Sequence, residues 1–225
     1  ASWALFVTKP SDLTNNPADD EGYILPELDL RWHELPSDHS TAGKEKNGQG
    51  RLFKNTAMGM QDAAKEKRES LHARIAKMLE LRTEEPAAHR IIWHDLESER
   101  EAIERAIPTC ATVYGSQDLE IREKIIAGFS CGEIPEIGGK PSMIGSGTNL
   151  QRHCWWAIYL GIGFKFNDFI QSIHRLLRFL QQHQVRIDLI YTEAEREVRR
   201  TLERKWQQHN QQVNIMTEII KEYGL

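Results

Sequence analysis

The rhythm of apolar and polar positions changes twice along the chain. Up to residue 35 it is interrupted by Pro10, Pro17, Asp19, Asp20 and Gly22, which leave no room for a long regular element. An apolar run at 3–7 precedes them. Ile24-Leu25-Pro26 and Leu28-Asp29-Leu30 read as extended, because a residue before proline avoids the helical region. Residues 36–50 are polar and glycine-bearing and read as a mobile loop. A helical period runs over 56–81, with Ala64, Leu71, Ile75, Met78 and Leu79 as its apolar stripe. Lys65, Glu66, Lys67, Arg68 and Glu69 fall on the wet side. After Ala88, short apolar segments at 90–94, 110–114, 141–144, 155–160 and 185–191 have the length and composition of buried strands. Helical patterns at 98–107, 119–129, 148–153 and 166–181 lie between them, and two further helices are predicted at 194–208 and 213–223. Strands alternating with helices predict an α/β fold, an open parallel sheet with helices on both faces. In such sheets ligands gather at the carboxyl ends of the strands.

Composition narrows the classes. With 225 residues, 40% hydrophobic and 28% charged, the chain suits a soluble globular protein. Its net charge of -4 supplies no global basic field, so any contact with nucleic acid has to be local. Cys110, Cys131 and Cys154 are far apart and odd in number, which argues against a disulfide framework and for a reducing cytoplasm. No apolar run approaches the roughly 20 residues that span a bilayer, and no stretch reads as a signal peptide. The start at Ala1 and the apolar run just behind it suit a piece of a longer polypeptide.

Three stretches carry candidate chemistry. In 171–181, QSIHRLLRFLQ, helical spacing puts Gln171, Arg175 and Arg178 on one side and Gln181 one step further. Two guanidiniums on one edge fit phosphate oxygens; an ordinary solvated helix fits the same spacing. Gly145-Ser146-Gly147-Thr148-Asn149-Leu150-Gln151 follows the 141–144 segment as a turn whose backbone can approach a phosphate or sugar closely. It is neither a Walker A loop nor the GxGxxG fingerprint. Tyr114-Gly115-Ser116 ends the second strand segment. Glu97 and Glu99 suit a helix start, where negative charge is favourable. The histidines give no metal-ligand spacing. Trp206, among Arg199, Arg200, Arg204 and Lys205, reads as part of a solvated helix face.

The order of these motifs, RIIWHDLESE, VYGSQDLEIREKIIAGF, KPSMIGSGTNLQ, QSIHRLLRFLQ and VRIDLIY, resembles the second, C-terminal RecA-like lobe of superfamily 2 helicases, and within them the Swi/Snf-like branch. That branch carries a Gly-x-Gly-x-Asn-x-Gln element, matched by Gly145, Gly147, Asn149 and Gln151. It also carries a Gln-x-x-Gly-Arg-x-x-Arg-x-Gly-Gln element, matched by Gln171, Arg175, Arg178 and Gln181. His174 and Leu180 stand where the second element has glycines. The N-terminal SWALFVTKPSDL…GYILPEL resembles the segment joining the two lobes in phage and prophage helicases, which are often encoded near DNA methyltransferases.

The resemblance implies a division into an inter-lobe linker (1–55), a RecA-like lobe with its leading helix (56–192) and C-terminal helices (193–225). It implies ATP with Mg²⁺ bound against a first lobe that carries the Walker A lysine and the acidic Mg²⁺ motif. Arg175 and Arg178 would then be the catalytic arginine fingers, and Gln171, Gly145, Gly147, Asn149 and Gln181 would bind the nucleotide. Tyr114, Gly115, Ser116, Thr148 and Gln151 would face the backbone of DNA. Partners would be the first lobe, DNA and a DNA methyltransferase, with no membrane. Two other classes stay open. One is a non-catalytic RecA-like interaction domain. The other is a transferase holding a phosphate or nucleotide sugar on 145–148, which needs a separate acid/base site.

Overall fold

The computed structural model describes residues 11, 15–22, 24–37, 60–144, 149–163 and 165–223. Its strands are β1 (Leu28–Leu35), β2 (Arg90–Trp93), β3 (Ala111–Val113), β4 (Glu136–Gly139), β5 (Trp156–Tyr159) and β6 (Val185–Thr192). Its α-helices are α1 (Met60–Glu69), α2 (Leu71–Arg82), α3 (Glu97–Ala106), α4 (Leu119–Ser130), α5 (Phe166–Leu176) and α6 (Arg196–Tyr223). The strands form one six-stranded sheet in the order β1-β6-β5-β2-β4-β3. Every pairing is parallel. Successive side chains alternate between the faces. Ile91, Trp93, Ala157, Ile187 and Leu189 pack under Phe129 of α4, Phe169 and Ile173 of α5, and Val198 and Leu202 of α6. Ile92, Trp156, Ile158 and Ile190 pack on the other side under Met78 and Leu81 of α2 and Ile103 of α3. The open parallel sheet covered on both faces is therefore as the rhythm predicts.

Several element boundaries differ from expectation, each for a local reason. The extended stretch at Leu28 continues to Leu35 and pairs along its whole length with β6, Leu28 opposite Val185 and Leu35 opposite Thr192. The segment 141–144 is not a strand: the amides of Met143 and Ile144 donate to the Lys140 carbonyl in a turn. The strand is β4, just before it. Gly138 and Gly139 hide it from an apolar pattern. A Cβ on Gly139 would lie 2.7 Å from Ile144 Cδ1, so the close packing there requires the missing side chain. The helix over 56–81 is two helices broken at Ser70, whose Oγ donates to the Glu66 carbonyl and accepts from Arg74 Nε. The helical pattern at 148–153 is a single 3-10 turn, Leu150–Arg152, and the two helices after residue 193 are one continuous α6. The apolar run at 3–7 and most of the loop at 36–50 lie outside the described residues.

Asp188, in β6, is fully buried and serves as a polar hub. It accepts from Trp156 Nε1 at 2.6 Å and Arg186 Nε at 2.7 Å, and lies 2.6 Å from His33 Nε2 of β1. Burial works against its charge, but the bonds from His33, Arg186 and Trp156 outweigh it and hold the carboxyl below the usual range. A depressed folded value gives stability that is present above the unfolded value, about pH 4, and is lost as pH falls through the folded one. Asp188→Asn is therefore expected to be less stable than the unaltered chain at neutral pH. The gap between the two should narrow below about pH 4 in denaturant titrations at stepped pH; a gap that stays constant would remove Asp188 from the acid response.

Candidate functional site

Helix α5 buries Phe169, Ser172, Ile173 and Leu176 and leaves Gln171 exposed and Arg175 half-buried. It ends earlier than the spacing predicts. Leu177 leaves helical geometry at φ -88 and ψ 84. Gln181 Nε2 then closes the end, donating at 3.1 Å to the carbonyls of Leu176 and of Cys154 before β5. Arg178 is exposed in the turn that follows, so the four polar residues do not share one helical edge. The two arginines still act on each other: burial first, and then the Arg178 charge, push the Arg175 guanidinium below its ordinary value. Gln181 is itself buried, and its Oε1 accepts from the His183 amide.

The turn that carries Arg178 is pinned from outside. The Leu180 amide donates to the Gly22 carbonyl at 2.9 Å. Leu180 sits at φ +69, the left-handed region that glycine adopts freely. The backbone shape of a glycine is thus kept at 180 although the residue is leucine. At 174, inside α5, no such shape is needed, and His174 instead faces His209 of α6, ring centroids 6.2 Å apart. Gly22 has φ +81, and a Cβ there would lie 2.9 Å from both Leu180 Cδ2 and Phe179 Cε2. Gly22→Ala is expected to cost about 1–3 kcal/mol, read as a lowered melting temperature, since it adds backbone strain and a clash at the arginine turn. An unchanged melting temperature would show that Gly22 does not brace this turn.

Gly145, Gly147 and Thr148 lie outside the described residues. Beyond them, Asn149 is exposed and its carbonyl accepts from Ser130 Oγ at 2.9 Å. Gln151 is buried, and its Nε2 donates to the Phe179 carbonyl at 3.1 Å. The glycine-rich element and the arginine turn are thereby joined. Tyr114, Gly115 and Ser116 follow the carboxyl end of β3, the edge strand of the sheet, whereas the arginine turn leads into β6. The Tyr114 ring lies under the Arg100 guanidinium at 4.3 Å, while Gly115 and Ser116 are exposed. Glu99 caps α3 as expected, its Oε2 accepting from the amides of Asp95 and Leu96. Trp206 is half-buried against Phe169 rather than solvated.

A second feature was invisible to the apolar pattern. The carboxyl ends of β2, β4 and β5, together with α1, enclose a cleft of about 210 Å³. It receives Asp95 after β2, Lys140 and Ser142 after β4, Lys165 and Asp168 around the start of α5, and Lys67 from α1. Lys67 and Glu66, expected on the wet side, are both buried. Glu66 accepts from Ser37 Oγ, and Lys67 Nζ lies 2.6 Å from Asp95 Oδ2. Burial disfavours the Asp95 charge, but the Lys67 ammonium outweighs it and holds the carboxyl below the usual range. Gly161 makes room for this lysine, since a Cβ there would lie 2.9 Å from Lys67 Cε. A smaller cavity of about 30 Å³ shares Asp95, Pro141, Gly163, Lys165 and Asp168 with the cleft and is lined by His94. His94 is 2% exposed, and among the described residues neither ring nitrogen has a hydrogen-bond partner. The signal that would have found the cleft is the position of β4: once that strand ends at Gly139, Lys140 stands at a strand's carboxyl end.

Among the described residues no group of three His, Cys, Asp or Glu could hold a metal ion. No described helix is long and apolar enough to cross a membrane. Cys110 and Cys154 are buried, and burial pushes both thiols up to about 12, which removes them as nucleophiles.

The fold is similar to several solved structures. The C-terminal part of the Fun30 ATPase domain aligns at 18% identity and a TM-score of 0.50, over 57% of this chain and 44% of that one. A DEAD box protein from the hyperthermophile Methanococcus jannaschii aligns at 11% and 0.55, over 80% of this chain and 40% of that one. The C-terminal domain of the DEAD-box protein Dbp5 aligns at 7% and 0.54, over 80% and 85%. The chain thus spans less than half of the first two. At these identities the likeness establishes the RecA-like α/β fold. No family model matches the sequence, and no curated protein matches it.

Proposed function

We propose that this chain is the C-terminal motor lobe of a DNA-dependent ATPase, a helicase or translocase of the Swi/Snf-like kind. The observation that carries the reading is the Gln151–Phe179 bond. It ties the Gly-x-Gly-x-Asn-x-Gln element to the turn bearing Arg178, two elements far apart in sequence that the reading requires to act together. The fold shared with the C-terminal part of an ATPase domain and with DEAD-box proteins agrees with it.

In this reading the stretch before β1 leads to a first lobe, which would hold the Mg²⁺ that accompanies ATP, while β1 itself belongs to this lobe's sheet. Arg178, exposed in its braced turn, would meet the β- and γ-phosphates, with Arg175 as the second finger. Their guanidiniums stabilise charge that develops in the transition state. Gln151 and Gln181 shape the turn, since both amides are engaged with backbone carbonyls. Tyr114, Gly115 and Ser116 meet the nucleic-acid backbone from the carboxyl end of β3.

The test is ATP hydrolysis by the longest natural polypeptide containing this segment, with and without DNA. DNA-stimulated turnover supports the motor. Absence of hydrolysis sinks it in favour of a non-catalytic interaction domain, a reading that the inward-facing amides of Gln151 and Gln181 also suit.

A further inference from the structure

We propose that the overhanging second half of α6 pairs with the same segment of a second copy of this chain, antiparallel, about a two-fold axis near Met216.

The overhang comes from length. At 28 residues α6 spans about 42 Å, whereas the eight residues of β6 span about 26 Å. The first half of α6 docks on the lobe. Val198 and Leu202 are buried in the core, Trp206 lies edge-on to Phe169, and His209 lies beside Phe166 and His174. These positions, four, four and three residues apart, form one stripe along the helix. Beyond His209 the helix leaves the lobe: residues 210–216, Glu218 and Ile219 are all exposed. Yet the stripe continues through Val213 and Met216, and Ile215 and Ile219 widen it into an apolar side. Asn210, Gln211, Asn214 and Glu218 take the opposite side.

Such a segment gains little from its own sequence. Asn210, Val213, Asn214, Ile215 and Ile219 are weak helix formers, and short helical stretches draw their stability from packing of an apolar face. The apolar side therefore calls for a cover, and charge selects which. From Trp206 to Thr217 the sequence holds no Asp, Glu, Lys or Arg. A helix that lies on an anionic membrane carries Lys and Arg on its polar side. A helix that selects a different helix carries charges flanking its apolar seam. This segment has neither. Against its own copy it has no like charges to bring together.

The lobe sets the direction. Each lobe already occupies the stripe as far as His209, so a parallel pair would bring both lobes to the same end of the seam. An antiparallel pair sends them to opposite ends. Centred near Met216, it sets Val213 against Ile219 of the second copy and Glu218 level with Asn214 of the second copy. The contact is a closed, self-complementary one, as a two-fold dimer requires. Ten residues of helix, about 15 Å, give far less than the roughly 1,200 Å² of a stable interface, so the dimer is transient, with a dissociation constant in the micromolar range.

Sedimentation of the chain between about 1 and 200 μM reads this out. The mass is expected to rise from 26.0 kDa toward twice that value with concentration. Met216→Lys with Ile219→Lys should remain monomeric throughout and keep the melting temperature of the unaltered chain, since both positions are exposed. Leu119→Lys with Ile121→Lys, which alters exposed apolar residues of α4, should dimerise as the unaltered chain does. Oxidative cross-linking fixes the direction, in a Cys131→Ser background that removes the exposed native thiol. A mixture of Val213→Cys and Ile219→Cys chains should form a disulfide-linked dimer faster than either chain alone. The inference is overturned if the unaltered chain stays at 26.0 kDa at every concentration, which would hand the apolar side to another occupant such as a first lobe. It is equally overturned if the α6 variant associates as well as the α4 variant, or if Val213→Cys cross-links best to itself. None of these readouts involves nucleotide or DNA, so the inference stands or falls apart from the motor reading.

Discussion

Arg178→Ala is expected to lower DNA-stimulated ATP hydrolysis by the complete two-lobe polypeptide roughly 10³-fold or more, with little change in folding stability. The two halves of this expectation have separate causes. Arg178 is exposed in a turn whose shape is held by the Gln181 amide, the Gln151 amide and the Gly22 carbonyl, none of which touches its guanidinium. Removing the side chain therefore leaves the turn in place. A finger contributes charge in the transition state, so the loss falls on kcat rather than on KM. Arg178→Lys keeps the charge but not the planar fork of donors, and is expected to recover only a small part of the rate. Arg175 is half-buried, so its replacement should combine a rate loss with a stability loss. Steady-state kinetics beside a melting curve separates the two positions. Hydrolysis indifferent to Arg178→Ala and Arg178→Lys would end the finger assignment.

How much of this was legible depends on the kind of signal each residue leaves. β2, β5 and β6 were readable because both faces of the sheet are buried, so their sequences are mostly Ile, Leu, Val, Trp, Tyr and Ala, with Arg90, Arg186, Asp188 and Thr192 as the polar positions. β4 was not, because its packing requires Gly138 and Gly139, and glycine reads as a turn. That one displacement moved Lys140 from the start of a strand to the end of one and concealed the cleft. The arginine spacing was legible, but the end of α5 was not. No proline or glycine stops it; the Gln181 side chain and the left-handed Leu180 do, and both are tertiary facts. Lys67 and Glu66 were placed on the wet side by a helical period that was right about the helix. Their partners, Asp95 and Ser37, come from distant parts of the chain that periodicity cannot see. The glycines at 145 and 147 were legible as a motif, and their geometry lies outside the described residues.

Arg74→Met is expected to destabilise the fold by about 3–5 kcal/mol, the largest effect of any single change outside the hydrophobic core. Arg74 and Glu195 are both fully buried, with Arg74 Nη2 2.5 Å from Glu195 Oε2. Arg74 Nη1 also donates at 3.1 Å to the carbonyls of Leu160 and Ile190, and Nε to Ser70 Oγ. One guanidinium therefore joins α2, the end of β5, the course of β6 and the turn that starts α6. Removing it strands a buried carboxylate, which among the described residues keeps only the Thr192 amide as a donor, and takes a donor from the Leu160 and Ile190 carbonyls. In a chain of this size about 1 kcal/mol moves the melting temperature by about 2–4 °C, so a fall of roughly 10 °C is expected. Adding Glu195→Leu to Arg74→Met should recover part of that fall, because it removes the stranded charge, though not the part owed to the Leu160 and Ile190 carbonyls. A double variant no more stable than the single would mean that the carbonyl bonds, rather than the ion pair, hold these elements together. In that case Arg74 acts as a backbone clamp for the same strand ends from which the cleft is built.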